Sequence, residues 1–446
     1  MKTIVVTFDR LPLRMLGCYG NQWIETPHFD RLAARSVVFD NHFAECLGSQ
    51  FADHAWLDGC FHFPRDPQQL ASVSKLPELL RQAGITSTLI VERDSDQPAD
   101  DHPDFDIIDD VVGSDGLEVD HAVTPFAELI RCGTEWISKN ADNQDPQLLW
   151  LKSRGVPTPW IPPEFFATLY LDELEAEFDG EEEDSEQTVD DESTANESSP
   201  DESDGFRDFD RFCGAADESA PENSDDEWEI SRFVYAGYVT MLDVWLGRLF
   251  ESITNEFSGQ PVVLIITAAS GQSLGEWRSE NDRQTALQEQ LVHTPLIVWT
   301  SEAEQLGSRR SDFVQTIDLL PTILDASGVD VMSFQCDGMS LWPTLMGSVK
   351  IERDHVFLGD AAGNVGTRNR DFYLTRSCTG TSDESEPDDS SALFLKPDDI
   401  WDVYDIAEQN SDDVERLATM LDKFVNDARV NLPVNRPRLD ISASED

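Results

Sequence analysis

Thr3-Ile4-Val5-Val6-Thr7-Phe8, running directly into Asp9-Arg10, is the stretch on which the fold turns. It is short, β-branched and apolar on both faces, the signature of a strand buried between two layers. Charged residues follow it at once, where open α/β sheets place their ligand-binding loops. Working outward, Thr26-Pro27-His28-Phe29-Asp30-Arg31-Leu32-Ala33 reads as a capped helix start with Pro near its first turn. Val37 to Phe43 reads as a strand, Leu76 to Ala83 as a helix ended by Gly84, and Thr86 to Glu92 as a strand. Asp120 to Lys139 is an amphipathic helix, and Leu148 to Leu151 another buried strand. Strands spaced by helices imply βαβ units, so the expected fold is α/β, a large, mostly parallel sheet flanked by helices.

Beyond residue 172 the alternation stops. Residues 172–228 hold 25 acids and two bases, a net of −23, too polar to offset the entropy of ordering. A disordered acidic insertion is expected over about 175–227, and a shorter acidic loop over about 379–391. The pattern resumes with a long helix from Trp228 to Ile253, strands at Pro261 to Thr267 and His293 to Thr300, and a helix over Ser311 to Ser327. From about residue 350 short strands are expected at His355–Leu358, Asp371–Thr375 and Ala392–Lys396, then a helix over Ser411–Ala428. The expected division is an α/β domain over 1–345 and a smaller α+β subdomain over 346–446.

With 88 acids against 32 bases the formal charge is −56, which argues against a nucleic-acid partner. Subtracting the insertion leaves −33 on 389 residues, so acidity also marks the folded body and a halophile-like surface is expected. No apolar run reaches the roughly 18 residues of a membrane span, and the opening segment lacks a secretory h-region, so a cytoplasmic protein is expected. Seven cysteines without CxxC spacing read as small buried hydrophobes rather than a disulfide or zinc framework.

Four segments together resemble the sulfatase branch of the alkaline phosphatase superfamily. Val5 to Leu11, followed by Leu16-Gly17-Cys18-Tyr19-Gly20-Asn21, is similar to the family's opening IVVDDLRPDHLGCYGN. Thr26 to Ala33 is similar to TPNLDRLA, and Leu296-Ile297-Val298 with Asp318-Leu319-Leu320-Pro321-Thr322 to PLIV…DLxPT. Asp402-Val403-Tyr404-Asp405-Ile406 is similar to the LYDL step of the tail. The resemblance implies an alkaline-phosphatase-like fold and sulfuric ester hydrolysis. It implies a divalent cation, usually calcium, held by two adjacent Asp after the first strand and by an Asp with Asn or His after a later one. It also implies a formylglycine nucleophile made from the Cys or Ser of a C/S-x-P-x-R motif.

Position by position, the chain departs from that set. The first-strand pair is Asp9-Arg10, leaving Asp9 as a remnant metal ligand and Arg10 as a possible anion-binding group. Matching Asp58-Gly59 to the end of the nucleophile helix puts Ser49 at the formylglycine position, with Phe51 for Pro and Asp53 for Arg, so Ser49 is expected to be unmodified. A second register matches Cys46 and restores neither residue. The later metal motif reads Thr267-Ala268-Ala269-Ser270-Gly271, with Ala269 and Ser270 in place of the ligands. Asp53-His54 near Ser49 is a weak candidate for a Ser/His/Asp triad, because adjacent residues do not readily stack as base and orienter.

Three functions stay open. The first is a sulfatase-fold pseudoenzyme holding a small anionic ligand with no cofactor, calcium entering only if the family's metal site persists. The second is an active sulfate- or phosphate-ester hydrolase with Ser49 as nucleophile. The third is an interaction protein whose acidic insertion meets a basic protein partner.

Overall fold

The computed structural model describes residues 1–93, 104–112, 120–157, 160, 162–170, 225–275, 287–302, 307–331, 334–347, 349–377 and 391–436. The acidic segments at 175–227 and 379–390 lie outside the described residues, apart from the start of the helix Asp225–Glu256.

Eight strands form the main sheet: β1 (Lys2–Arg10), β2 (Val37–Phe43), β3 (Thr86–Arg93), β4 (Ile107–Val112), β5 (Gln147–Gly155), β6 (Val262–Ser270), β7 (Leu296–Thr300) and β8 (Ser308–Gln315). Their order is β4-β3-β5-β1-β6-β7-β2-β8, with β1 central between β5 and β6. β7 pairs antiparallel with both neighbours, and the other pairings are parallel. The fold is mixed α/β with a large, mostly parallel sheet.

Alternation along β1 divides the core. Ile4, Val6 and Phe8 pack with helices Pro125–Lys139 and Asp225–Glu256 on one face of the sheet. Val5 packs on the other face with helices Ser49–Asp58, Leu76–Gln82 and Leu319–Ala326. Every residue from Lys2 to Thr7 is at most 2% exposed, so this strand is sealed on both sides.

Within the main sheet, two elements differ from the sequence reading. The span expected as one helix from Ser311 begins as β8, whose Phe313 and Val314 are buried beside β2, and turns helical only at Leu319. β4 adds an edge strand where no strand was expected, with five of its six residues exposed.

β9 (His355–Gly359), β10 (Val365–Asn369), β11 (Phe372–Arg376) and β12 (Ser391–Leu395) make a separate antiparallel sheet, ordered β12-β11-β10-β9. Helix Ser411–Ala428 packs on it, with Phe424 stacked on Phe357 at 3.9 Å between ring centroids. Buried ion pairs tie this tail to the main body. Arg353 grips Asp318 with two bonds of 2.6 and 2.8 Å, and Arg65 bonds both Asp337 and the Ala428 carbonyl.

Candidate functional site

β1, β5 and β6 end in register, Arg10 level with Gly155 on one side and Ser270 on the other. Gly155 is required there: its φ is +73°, and a Cβ would lie 2.0 Å from the Arg10 carbonyl oxygen. The sequence-derived candidates fall along this edge. Asp9 and Arg10 are the last two residues of β1, Ala269 and Ser270 the last two of β6, and Ser49 the first residue of the helix Ser49–Asp58.

Alternation then separates them. Asp9 follows Val5 and Thr7 toward the face carrying helix Ser49–Asp58, and Ala269 lies in the same core. Arg10 follows Phe8 toward the opposite face, where its guanidinium donates to Gln272 Oε1 at 3.3 Å. Ser270 hydrogen-bonds the Asp9 backbone carbonyl at 3.1 Å, closing on the sheet edge. The adjacent Asp9 and Arg10 are therefore parted, and Arg10 does not take the place of a metal beside Ser49.

On the Asp9 face a cation appears that the sequence reading did not single out. Lys152, the sixth residue of β5, is 7% exposed, and its Nζ lies 2.5 Å from Asp53 Oδ2. Asp53 is thus engaged by an ammonium, while His54 stacks on His62 at 5.0 Å and His62 pairs with Asp58 at 2.8 Å. The Ser49/His54/Asp53 triad is not assembled. Among the described residues the half-buried Ser49 hydroxyl makes no hydrogen bond. The alternative nucleophile, Cys46, is 1% exposed, and burial pushes its thiol far above the usual range, so it stays protonated.

Glu92, at the end of β3, was also missed. Its carboxylate accepts from Ser153 Oγ at 2.8 Å and from the Arg154 amide at 3.3 Å. Burial raises its pKa to about 7, a rise that the Ser153 bond and Arg154 limit and nearby Asp9 reinforces.

A hard divalent cation needs several oxygen ligands. Here Asp9 offers one carboxylate, Ala269 offers no ligand atom, and Arg10 points away. Among the described residues no three His, Cys, Asp or Glu side chains gather in ligating positions. The residues present do not fit the calcium ion that the resemblance implies.

Comparison with known proteins agrees with this architecture. The sulfatase family model matches residues 2–329. N-acetylglucosamine-6-O-sulfatase of Bacteroides thetaiotaomicron is 26% identical over 192 residues, covering 40% of this chain and 31% of that protein. The multifunctional alkaline phosphatase superfamily protein PehA of Trinickia caryophylli is 29% identical over 123 residues, 27% of this chain and 23% of that one. The aligned stretches thus span less than a third of these curated relatives. Among solved structures, the phosphonate monoester hydrolase of Silicibacter pomeroyi superposes with a TM-score of 0.68 at 18% identity, covering 94% of this chain and 93% of its own. A 2-O GAG sulfatase superposes at 0.65 with 17% identity, covering 97% and 95%. The match over residues 2–329 settles the family, and the chain belongs to the sulfatases.

Proposed function

We propose that this sulfatase-family chain is a pseudoenzyme that has lost metal-dependent ester hydrolysis and holds a small anionic ligand at the strand ends. The observation that supports it most is the residue set along that edge. One carboxylate, Asp9, remains where hydrolysis needs a cluster, and Arg10, Ala269 and Ser270 stand in the other positions. Without a cation to neutralise charge on the transferred group, a hydrolase loses its main electrostatic stabilisation. Lys152 and Asp53 are paired with each other, which leaves Asp53 engaged rather than set as a base for Ser49.

Nitrophenyl sulfate and nitrophenyl phosphate, incubated with the full chain and excess calcium, test this. No turnover above buffer is expected. Turnover that disappears in Ser49→Ala would establish a rebuilt hydrolase with Ser49 as nucleophile and end the pseudoenzyme reading.

A further inference from the structure

On the Arg10 side of the sheet, away from Ser49, lies a cavity of about 570 Å³. The loop after β1 supplies Arg14 and Trp23, the helix Asp225–Glu256 supplies Arg232, the chain after β6 supplies Leu274, and Gln290 and Trp401 complete the wall. Its size is that of an ordinary small-molecule site.

The charges around this cavity do not cancel. Glu289 lines it, and Lys396 bonds both Glu289 and Asp402 at 2.6 Å while Arg368 reaches Glu289 at 3.3 Å. Two carboxylates are thus already matched by two cations, and Arg14 is a third cation against the same pair. Arg14 lies over the Trp401 ring at 5.3 Å, and among the described residues its guanidinium makes no hydrogen bond. Arg232, across the cavity, donates only through Nε to the Leu274 carbonyl at 2.9 Å, leaving both terminal nitrogens unbonded among the described residues. On a chain of net charge −56, two arginines with open donors facing one cavity are a local excess of positive charge. Gln290 adds a buried acceptor, Oε1, with no hydrogen-bond partner among the described residues.

We propose that this cavity binds an organic anion with a flat apolar body, its charged group held by Arg14 and Arg232 and its body lying among Trp23, Leu274 and Trp401. Guanidinium forks suit the oxygens of a sulfonate, sulfate, phosphate or carboxylate. Indole and leucine surfaces suit a ring system, and Gln290 Oε1 suits a donor on its far side. The site is separate from the Ser49 face, and its occupancy does not depend on whether any ester is hydrolysed.

Naphthalenesulfonate is a suitable probe because it carries an anion on a two-ring body and has no ester to cleave. Titrated calorimetrically into the full chain, it should bind one site, with uncharged naphthol at least about tenfold weaker. Arg14→Gln and Arg232→Gln should each weaken the anion about tenfold, and Arg14→Lys should recover part of the loss. Thermal melts of each variant identify any that has lost its fold, and Arg232→Gln, on a helix surface, supplies the answer if Arg14→Gln unfolds. Equal binding of naphthol, no binding up to millimolar probe, or unchanged affinity in folded arginine variants would each overturn the proposal. So would a loss confined to Ser49→Ala or Lys152→Met, which would place the anion at the strand ends instead.

Discussion

Asp9 and Arg10 show how one substitution acts through backbone geometry. In a strand, neighbouring side chains face opposite sides, so the arginine at position 10 brings its positive charge to Gln272 and not to the Ser49 face. Lys152 and Glu92 fill the edge instead, one paired with Asp53 and the other buried with Ser153. Glu92 carries a pH signature. Its pKa in the folded chain is raised from 4.5 to about 7, so its contribution to stability is complete below about 4.5 and is lost as pH rises through about 7. Glu92→Gln, which keeps an acceptor for Ser153, should therefore stabilise the fold by on the order of 2 kcal/mol near pH 8 and hardly at all near pH 4. Denaturant melts at both pH values check this, and an equal effect at both would contradict it. Asp9 and Arg10 were legible in the sequence because a motif frames them. Lys152 was not, because it sits in a run that reads as an apolar strand, and its partner Asp53 is 99 residues away.

Between elements, the long helix Asp225–Glu256 organises the Phe8 side of the sheet. Its Asp243 accepts hydrogen bonds from the amides of His28 and Phe29, at 3.0 and 2.7 Å, and so caps the helix Pro27–Ala33 from outside. Asp243 is fully buried, and Asp243→Ala would leave those amides without their acceptor. A loss of about 2 kcal/mol is expected in denaturant melts, and a loss below about 0.5 kcal/mol would show that the cap is dispensable. β1, β3, β5 and the helix Ser411–Ala428 were legible from apolar period alone. β8 was not, because Phe313 and Val314 precede a true amphipathic helix and merge with its pattern until the pairing with β2 separates them. β10 was missed because Val-Gly-Thr-Arg-Asn has no apolar run, and its burial comes from the neighbours β9 and β11.

At the level of the whole molecule, two effects compete: a sealed two-layer core and a strongly self-repelling surface. Outside residues 172–228 the chain still carries −33, and raising salt from about 0.1 M to about 1 M shortens the Debye length from about 10 Å to about 3 Å. Screening should therefore raise the melting temperature by several degrees in potassium chloride, and a flat or falling melting temperature would show that surface acidity does not oppose folding. At the strand edge, the family's fold persists over residues 2–329 with a residue set that does not fit calcium. Calcium titration of the metal-stripped full chain, followed by calorimetry, tests that most directly. No stoichiometric site is expected at micromolar calcium, whereas one tightly bound ion per chain, lost in Asp9→Asn, would show that the strand edge holds a metal.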